Sequence, residues 1–124
     1  MSVVDFSKLY PDNRQEGETV LRQAQLVMLR MLKIIDYICR KHDISYWMCS
    51  GTLLGAVRHK GFIPWDDDLD IGMPRADYDL LMSHSKEWLP KPYEAVCAEN
   101  DPNYPLPFAK IQDCGIRLLS SVCI

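Results

Sequence analysis

Across residues 18–42 apolar side chains return at steps of three and four, through Leu21, Ala24, Met28, Met31, Ile35 and Ile38. That is the period of a helix with one buried stripe. Val20, Val27, Leu32 and Ile34 widen the stripe, so the helix is expected to pack broadly on a sheet with Arg22, Arg30, Lys33 and Arg40 toward water. Asp43-Ile44-Ser45 breaks it. The run Tyr46-Trp47-Met48-Cys49 suits a short buried strand. Ser50-Gly51-Thr52 then opens a second helix, with Leu53, Leu54, Ala56 and Val57 as its apolar side and Gly61 as its stop.

Further along, Leu69 and Ile71 alternate with Asp68 and Asp70, which predicts a strand. Pro74 fits the first turn of a third helix over residues 75–88, whose apolar side holds Tyr78, Leu81 and Met82. Residues 93–97 read as another strand and 100–107 as a proline-rich loop. Residues 108–113 and 116–122 form a hairpin turned at Cys114-Gly115. The expectation is an α+β domain over residues 18–124, a mixed sheet with helices packed on one side, preceded by an N-terminal extension over 1–17.

Composition narrows the class. With 124 residues, 48% of them apolar and 25% charged, the chain has room for one globular core. A net charge of -3 gives no broad basic field, which argues against a nucleic-acid partner. No window approaches the ~18 apolar residues of a membrane span, and no signal peptide opens the chain, so a cytosolic protein without an integral membrane segment is expected. Cys39, Cys49, Cys97, Cys114 and Cys123 are odd in number with no Cys-x-x-Cys pair, fitting neither a disulfide framework nor a zinc site. His42, His59 and His84 share no ligand spacing.

The chemistry concentrates in Trp65-Asp66-Asp67-Asp68-Leu69-Asp70. Carboxylates this close raise one another's pKa unless a cation sits among them. On a strand, Asp68 and Asp70 project from one face about 7 Å apart. They can share Mg²⁺, or a similar cation such as Mn²⁺, which takes carboxylate and phosphate oxygens. Asp66 keeps the same two-residue phase and joins them as metal ligand, whereas Asp67 has the opposite phase and a lesser role. The alternatives are a solvated acidic loop and a calcium loop of the EF-hand kind. The latter fails where it needs a glycine and finds Ile71.

Ser50, Gly51 and Thr52 at a helix start offer unpaired N–H groups to a phosphate, or Ser50 is a simple N-cap. Arg58, Lys60 and Arg75 could clamp a diphosphate or be ordinary surface charge. Late in the chain, Lys110 could contact phosphate and Asp113 could add a carboxylate.

Read together, Ser50-Gly51-Thr52-Leu53-Leu54-Gly55-Ala56-Val57-Arg58-His59-Lys60-Gly61-Phe62-Ile63-Pro64-Trp65-Asp66-Asp67-Asp68-Leu69-Asp70-Ile71-Gly72 closely resembles the LicD family of phosphocholine transferases. That family is related to fukutin and fukutin-related protein within the polymerase-β-like nucleotidyltransferase superfamily. The resemblance implies a nucleotidyltransferase-like fold, a phosphate-binding helix start at Gly51 and Thr52, and metal-binding acids at Asp68 and Asp70, to which the fukutin-like pattern adds Asp66. It makes Lys110 and Asp113 members of the site, with Asp113 as a further catalytic carboxylate.

The implied reaction moves a phosphoalcohol, typically phosphocholine from a CDP-linked donor such as CDP-choline, onto a hydroxyl of a glycan acceptor such as lipopolysaccharide or teichoic acid, and CMP leaves. Mg²⁺ on Asp68 and Asp70 would neutralise the diphosphate, and Asp66 would orient or deprotonate the acceptor hydroxyl. Two alternatives remain: a non-catalytic metal- or nucleotide-binding remnant, and nucleotidyl transfer to another acceptor. Members of the family are considerably longer than this chain, so a fragment with the metal motif present and weak or no activity by itself is expected.

Overall fold

The computed structural model describes residues 4–99, 101–113 and 121–124. A short helix α1 (Phe6–Leu9) and a 3-10 turn (Arg14–Glu16) precede the long helix α2 (Val20–Lys41). The Thr19 side chain caps α2 by accepting the Arg22 N–H at 3.0 Å. Met28, Met31, Ile34, Ile35 and Ile38 are all buried, as the period required. Arg30 does not point to water. Residues of the N-terminal segment lie beside it, so its guanidinium is half-buried and donates to the Tyr10 carbonyl and the Tyr93 hydroxyl. Val20 in turn is exposed.

The remaining elements are β1 (Trp47–Met48), α3 (Ser50–Arg58), β2 (Leu69–Gly72), α4 (Arg75–Ser83), α5 (Ser85–Trp88), β3 (Tyr93–Val96), β4 (Lys110–Asp113) and β5 (Ser121–Cys123). The five strands form one mixed sheet in the order β1-β2-β5-β4-β3. β2 and β5 run parallel and the other neighbours antiparallel. This is the α+β architecture the pattern predicts, and β4 and β5 do pair antiparallel. The expected turn at Cys114-Gly115 lies outside the described residues.

Register sorts the side chains. Leu69, Val122 and Ile111 stand in one row across β2, β5 and β4, all buried against α2 in a core that also takes Leu81 and Leu89. The next row, Asp70, Cys123 and Lys110, belongs to the opposite face because successive strand residues alternate. No described helix is long and apolar enough to cross a membrane.

Four local expectations change. The third helix is two helices meeting at His84, where the Ser83 and Ser85 hydroxyls bond the Leu80 and Met82 carbonyls and compete with the helical ladder. Pro74 is the N-cap of α4, just ahead of the first turn in which it was expected. Trp47 is 52% exposed, because β1 is an edge strand of two residues. Leu53, Leu54 and Val57 of α3 are exposed too, and the buried residue of that helix is Gly55. A Cβ there would lie 2.5 Å from the Gly61 carbonyl oxygen and 3.0 Å from the Ile63 nitrogen, so α3 is held by close backbone approach to the next loop instead of by an apolar stripe.

Candidate active site

The acidic run and the start of α3 are adjacent because β1, which leads into α3, is hydrogen-bonded to β2, which follows the acids. Met48 pairs with Ile71, and the Cys49 N–H donates to the Asp70 carbonyl at 3.2 Å. The Thr52 hydroxyl then accepts the Asp70 N–H at 2.9 Å. Asp66 lies against Gly51: a Cβ on that glycine would sit 2.9 Å from the Asp66 carboxylate. Any larger residue would push the acid away. Ser50 is not the N-cap. Cys49 takes that position without a side-chain bond, and Ser50 adopts a left-handed φ of 53°. The first amides of α3 are therefore not covered by a capping side chain.

Asp66, Asp67 and Asp68 precede β2 as a loop, so strand alternation does not separate them. One carboxylate oxygen from each lies within 4.8 Å of the other two. Asp67, expected to play a lesser part, thus belongs to the cluster. Asp70 is one step along β2, on the strand face given above, and lies outside that trio. The Asp68 carboxyl is held above its usual pKa, first by burial and then by the charges of Asp67, Asp70 and Asp66, while Lys110 opposes the shift. An all-carboxylate oxygen set with this mutual repulsion could hold a hard divalent cation such as Mg²⁺ or Mn²⁺.

The loop is fixed from beneath by a residue the pattern did not single out. Gln25 of α2 is 2% exposed, and its Nε2 donates to the carbonyls of Asp66 at 2.8 Å, Pro64 at 3.3 Å and Ile63 at 3.4 Å. Arg22 donates to its Oε1 at 3.0 Å. The available signal was a polar side chain inside an otherwise apolar stripe. Asp66 also accepts the Asp68 N–H at 3.1 Å, which turns the loop back on itself.

Not every expected residue joins the cluster. Lys110 does, on the face of Asp70. Asp113 does not: three residues along β4, it shares the core-side face of Ile111, its side chain is 1% exposed, and Arg14 pairs with it at 3.3 Å. Arg75 pairs with Asp79 at 3.2 Å and Glu99 at 3.3 Å, beyond the far end of β2. Arg58 and Lys60 are exposed at the end of α3, where His59 meets the edge of Trp65 just before the acids.

Residues 43–103 match the model of the LicD/FKTN/FKRP nucleotidyltransferase domain. The chain is 42% identical over 99 residues to lipopolysaccharide cholinephosphotransferase LicD of Haemophilus influenzae, covering 79% of this chain and 37% of that protein. It is 53% identical over 30 residues to human ribitol 5-phosphate transferase FKRP, covering 24% of this chain and 6% of that protein. With human ribitol-5-phosphate transferase FKTN it shares 28% identity over 87 residues, 68% of this chain and 18% of that protein. The chain thus spans well under half the length of these relatives. No solved structure matches it. The matched stretch contains the α3 start, the acid cluster and β2, and on that basis the chain belongs to the LicD family.

Proposed function

We propose that this domain transfers a phosphoalcohol from a CDP-linked donor to a glycan hydroxyl with the help of a divalent cation. The observation that carries this reading is the meeting of the Asp66–Asp68 carboxylates with the Gly51 end of α3. It sets a cation-holding group beside unpaired amides that favour phosphate. Asp66 and Asp68, with Asp67 beside them and Asp70 on the adjoining strand, would hold Mg²⁺ or Mn²⁺. When bound, the cation supplies charge neutralisation for the diphosphate and for the departing CMP.

The chain's own residues do the rest. The Gly51 and Thr52 amides seat phosphoryl oxygens, and Lys110 adds positive charge on the Asp70 face. Asp66, the acid nearest the helix start, orients the acceptor hydroxyl and takes its proton as the new P–O bond forms and the bond to CMP breaks. Alignment and charge placement are the main sources of rate in phosphoryl transfer. LicD acts on lipopolysaccharide by its name, which supports a lipopolysaccharide-type acceptor here.

The test is divalent-dependent release of CMP from CDP-choline with a lipopolysaccharide acceptor. Asp68→Asn and Asp70→Asn should each lower it by about 10²–10³-fold while the fold persists. Both measurements are made in a protein of the relatives' full length that carries this domain: unchanged release in both variants would refute the assignment, and CDP-choline binding without any turnover there would identify a non-catalytic domain.

A further inference from the structure

Helix α3 turns its apolar side to solvent because of how it is held. Its contact with the following loop is made by the backbone at Gly55, where there is no side chain to bury, so its leucines face away from the protein. Leu53, Leu54 and Val57 are 48%, 47% and 75% exposed. At about 100° of turn per residue the three fall within an arc of about 100°, and Gly55 lies about 150° from the middle of that arc. Single exposed apolar side chains are ordinary on a protein surface, whereas a stripe of them on one helix face marks a surface that meets something. Trp65, in the loop that follows α3, is 73% exposed and meets the edge of His59.

The stripe runs into positive charge that no carboxylate compensates. Arg58 stands about 40° beyond Leu54 around the helix, and Lys60 comes two residues later. Both are exposed, and among the described residues neither is in an ion pair, while Arg14, Arg40 and Arg75 each meet a carboxylate. The acid cluster is anchored at the other end of α3, where Asp66 lies against Gly51, seven residues or about 10 Å along the helix from Arg58. At that range salt screens much of the attraction between exposed charges. The chain as a whole carries a net charge of -3, so this basic end is a local feature and not part of a broad positive field.

From this arrangement we infer that α3 docks on an anionic lipid surface. Leu53, Leu54 and Val57 enter the headgroup boundary, Trp65 takes the interfacial position that indoles favour, and Arg58 and Lys60 meet lipid phosphates. An aliphatic helix face with basic residues at its edge is the composition of an element that lies on a membrane. The contact is peripheral, since no described helix is long and apolar enough to cross one. A second copy of the chain is a poorer occupant. A stable protein interface takes roughly 20–30 residues a side with complementary shape, and this face offers a handful, whereas a fluid lipid surface needs no shape complement. Docking itself is independent of the transfer proposed above. With that transfer, it would bring the acid loop, which follows Trp65, to the level at which a lipid-linked acceptor hydroxyl lies.

Co-sedimentation with vesicles tests it, in EDTA so that no divalent cation bridges the carboxylates to lipid. The chain is measured beside a protein of the relatives' full length that carries this domain. Both should bind phosphatidylcholine vesicles containing about 30 mol% phosphatidylglycerol at least about tenfold more tightly than pure phosphatidylcholine vesicles, and lose that margin as salt is raised. Leu54→Gln with Val57→Gln should weaken binding by about tenfold or more through lost apolar burial. Arg58→Gln with Lys60→Gln should do the same, at roughly fivefold per basic residue. Val20→Gln, at a residue of α2 that is 64% exposed, should bind as wild type. All these positions are exposed, and a thermal melt of each variant checks the fold. No binding to the anionic vesicles, equal binding to the two compositions, or wild-type binding by Leu54→Gln with Val57→Gln would overturn the inference. Binding by the chain but not by the full-length protein would give the face to the rest of that protein, and a dimer that Leu54→Gln with Val57→Gln dissociates would give it to a second copy; either result also overturns it.

Discussion

Among the described residues, three other than glycine adopt left-handed backbone: Asp43 after α2, Ser50 at the entry of α3 and Lys60 after it, with φ of 56°, 53° and 55°. Such a conformation costs an ordinary residue about 1–2 kcal/mol. Asp43→Gly should therefore raise stability by up to about 1 kcal/mol in urea denaturation, less than the full strain because glycine also gains freedom in the unfolded chain. Donor turnover should not change, since Asp43 touches none of the site. Lys60→Gly should give a similar gain in stability but weaken donor binding if Lys60 faces the phosphates; equal donor affinity would remove Lys60 from the site. The sequence marked this helix end with Gly61, one residue late. A Cβ on Gly61 meets nothing within 4 Å, so the turn does not need that glycine, and a strained lysine cannot be read from composition.

At the scale of elements, the acid loop depends on a helix far away in sequence. Gln25 is fixed by the packing of α2 and holds the carbonyls of residues 63, 64 and 66. Gln25→Leu keeps the volume and removes those bonds, leaving the Ile63 carbonyl in a buried setting and those of Pro64 and Asp66 partly buried without that donor, at a cost of about 1–3 kcal/mol. The same change should weaken Mn²⁺ binding by the loop, measured by titration; wild-type affinity would mean that Gln25 serves stability alone. The α2 stripe was legible because its period repeats over 22 residues, and β2 because Leu69 and Ile71 alternate with Asp68 and Asp70. Sorting Asp66, Asp67 and Asp68 by strand phase was not, because β2 begins only at Leu69 and a loop can aim successive side chains together. Asp113 was misplaced for a related reason: alternation along β4 puts Lys110 and Asp113 on opposite faces, and only the register with β5 and β2 tells which face carries the acids.

In the molecule as a whole, what the sequence revealed of the site lies, Lys110 apart, within residues 50–72, where the helix start and its acids are close in the chain. A groove of about 320 Å³ lined by Trp47, Gly72, Tyr78, Glu99 and Phe108 was invisible because those residues come from separate segments that the sheet and α4 bring together. The same holds for residues 4–17, part of the segment expected to be an extension. They pack on α2 through an edge contact of Phe6 with Tyr37, and Arg14 joins Asp12 at 2.7 Å to the buried Asp113 of β4. Arg14→Met should remove that tie at a cost of about 1–3 kcal/mol near neutral pH. The pH dependence follows from Asp12, whose pKa lies below the ordinary value, chiefly through its bond to Arg14 and against a partial burial that acts the other way. A depressed carboxylate contributes stability in full above its unfolded pKa of about 4 and loses it as pH falls through the lower native value. The difference in unfolding free energy between wild type and Arg14→Met should thus be largest at neutral pH and narrow below about pH 4. A gap that stayed constant or widened in acid would show that Arg14 stabilises the fold through packing rather than through its carboxylate partners.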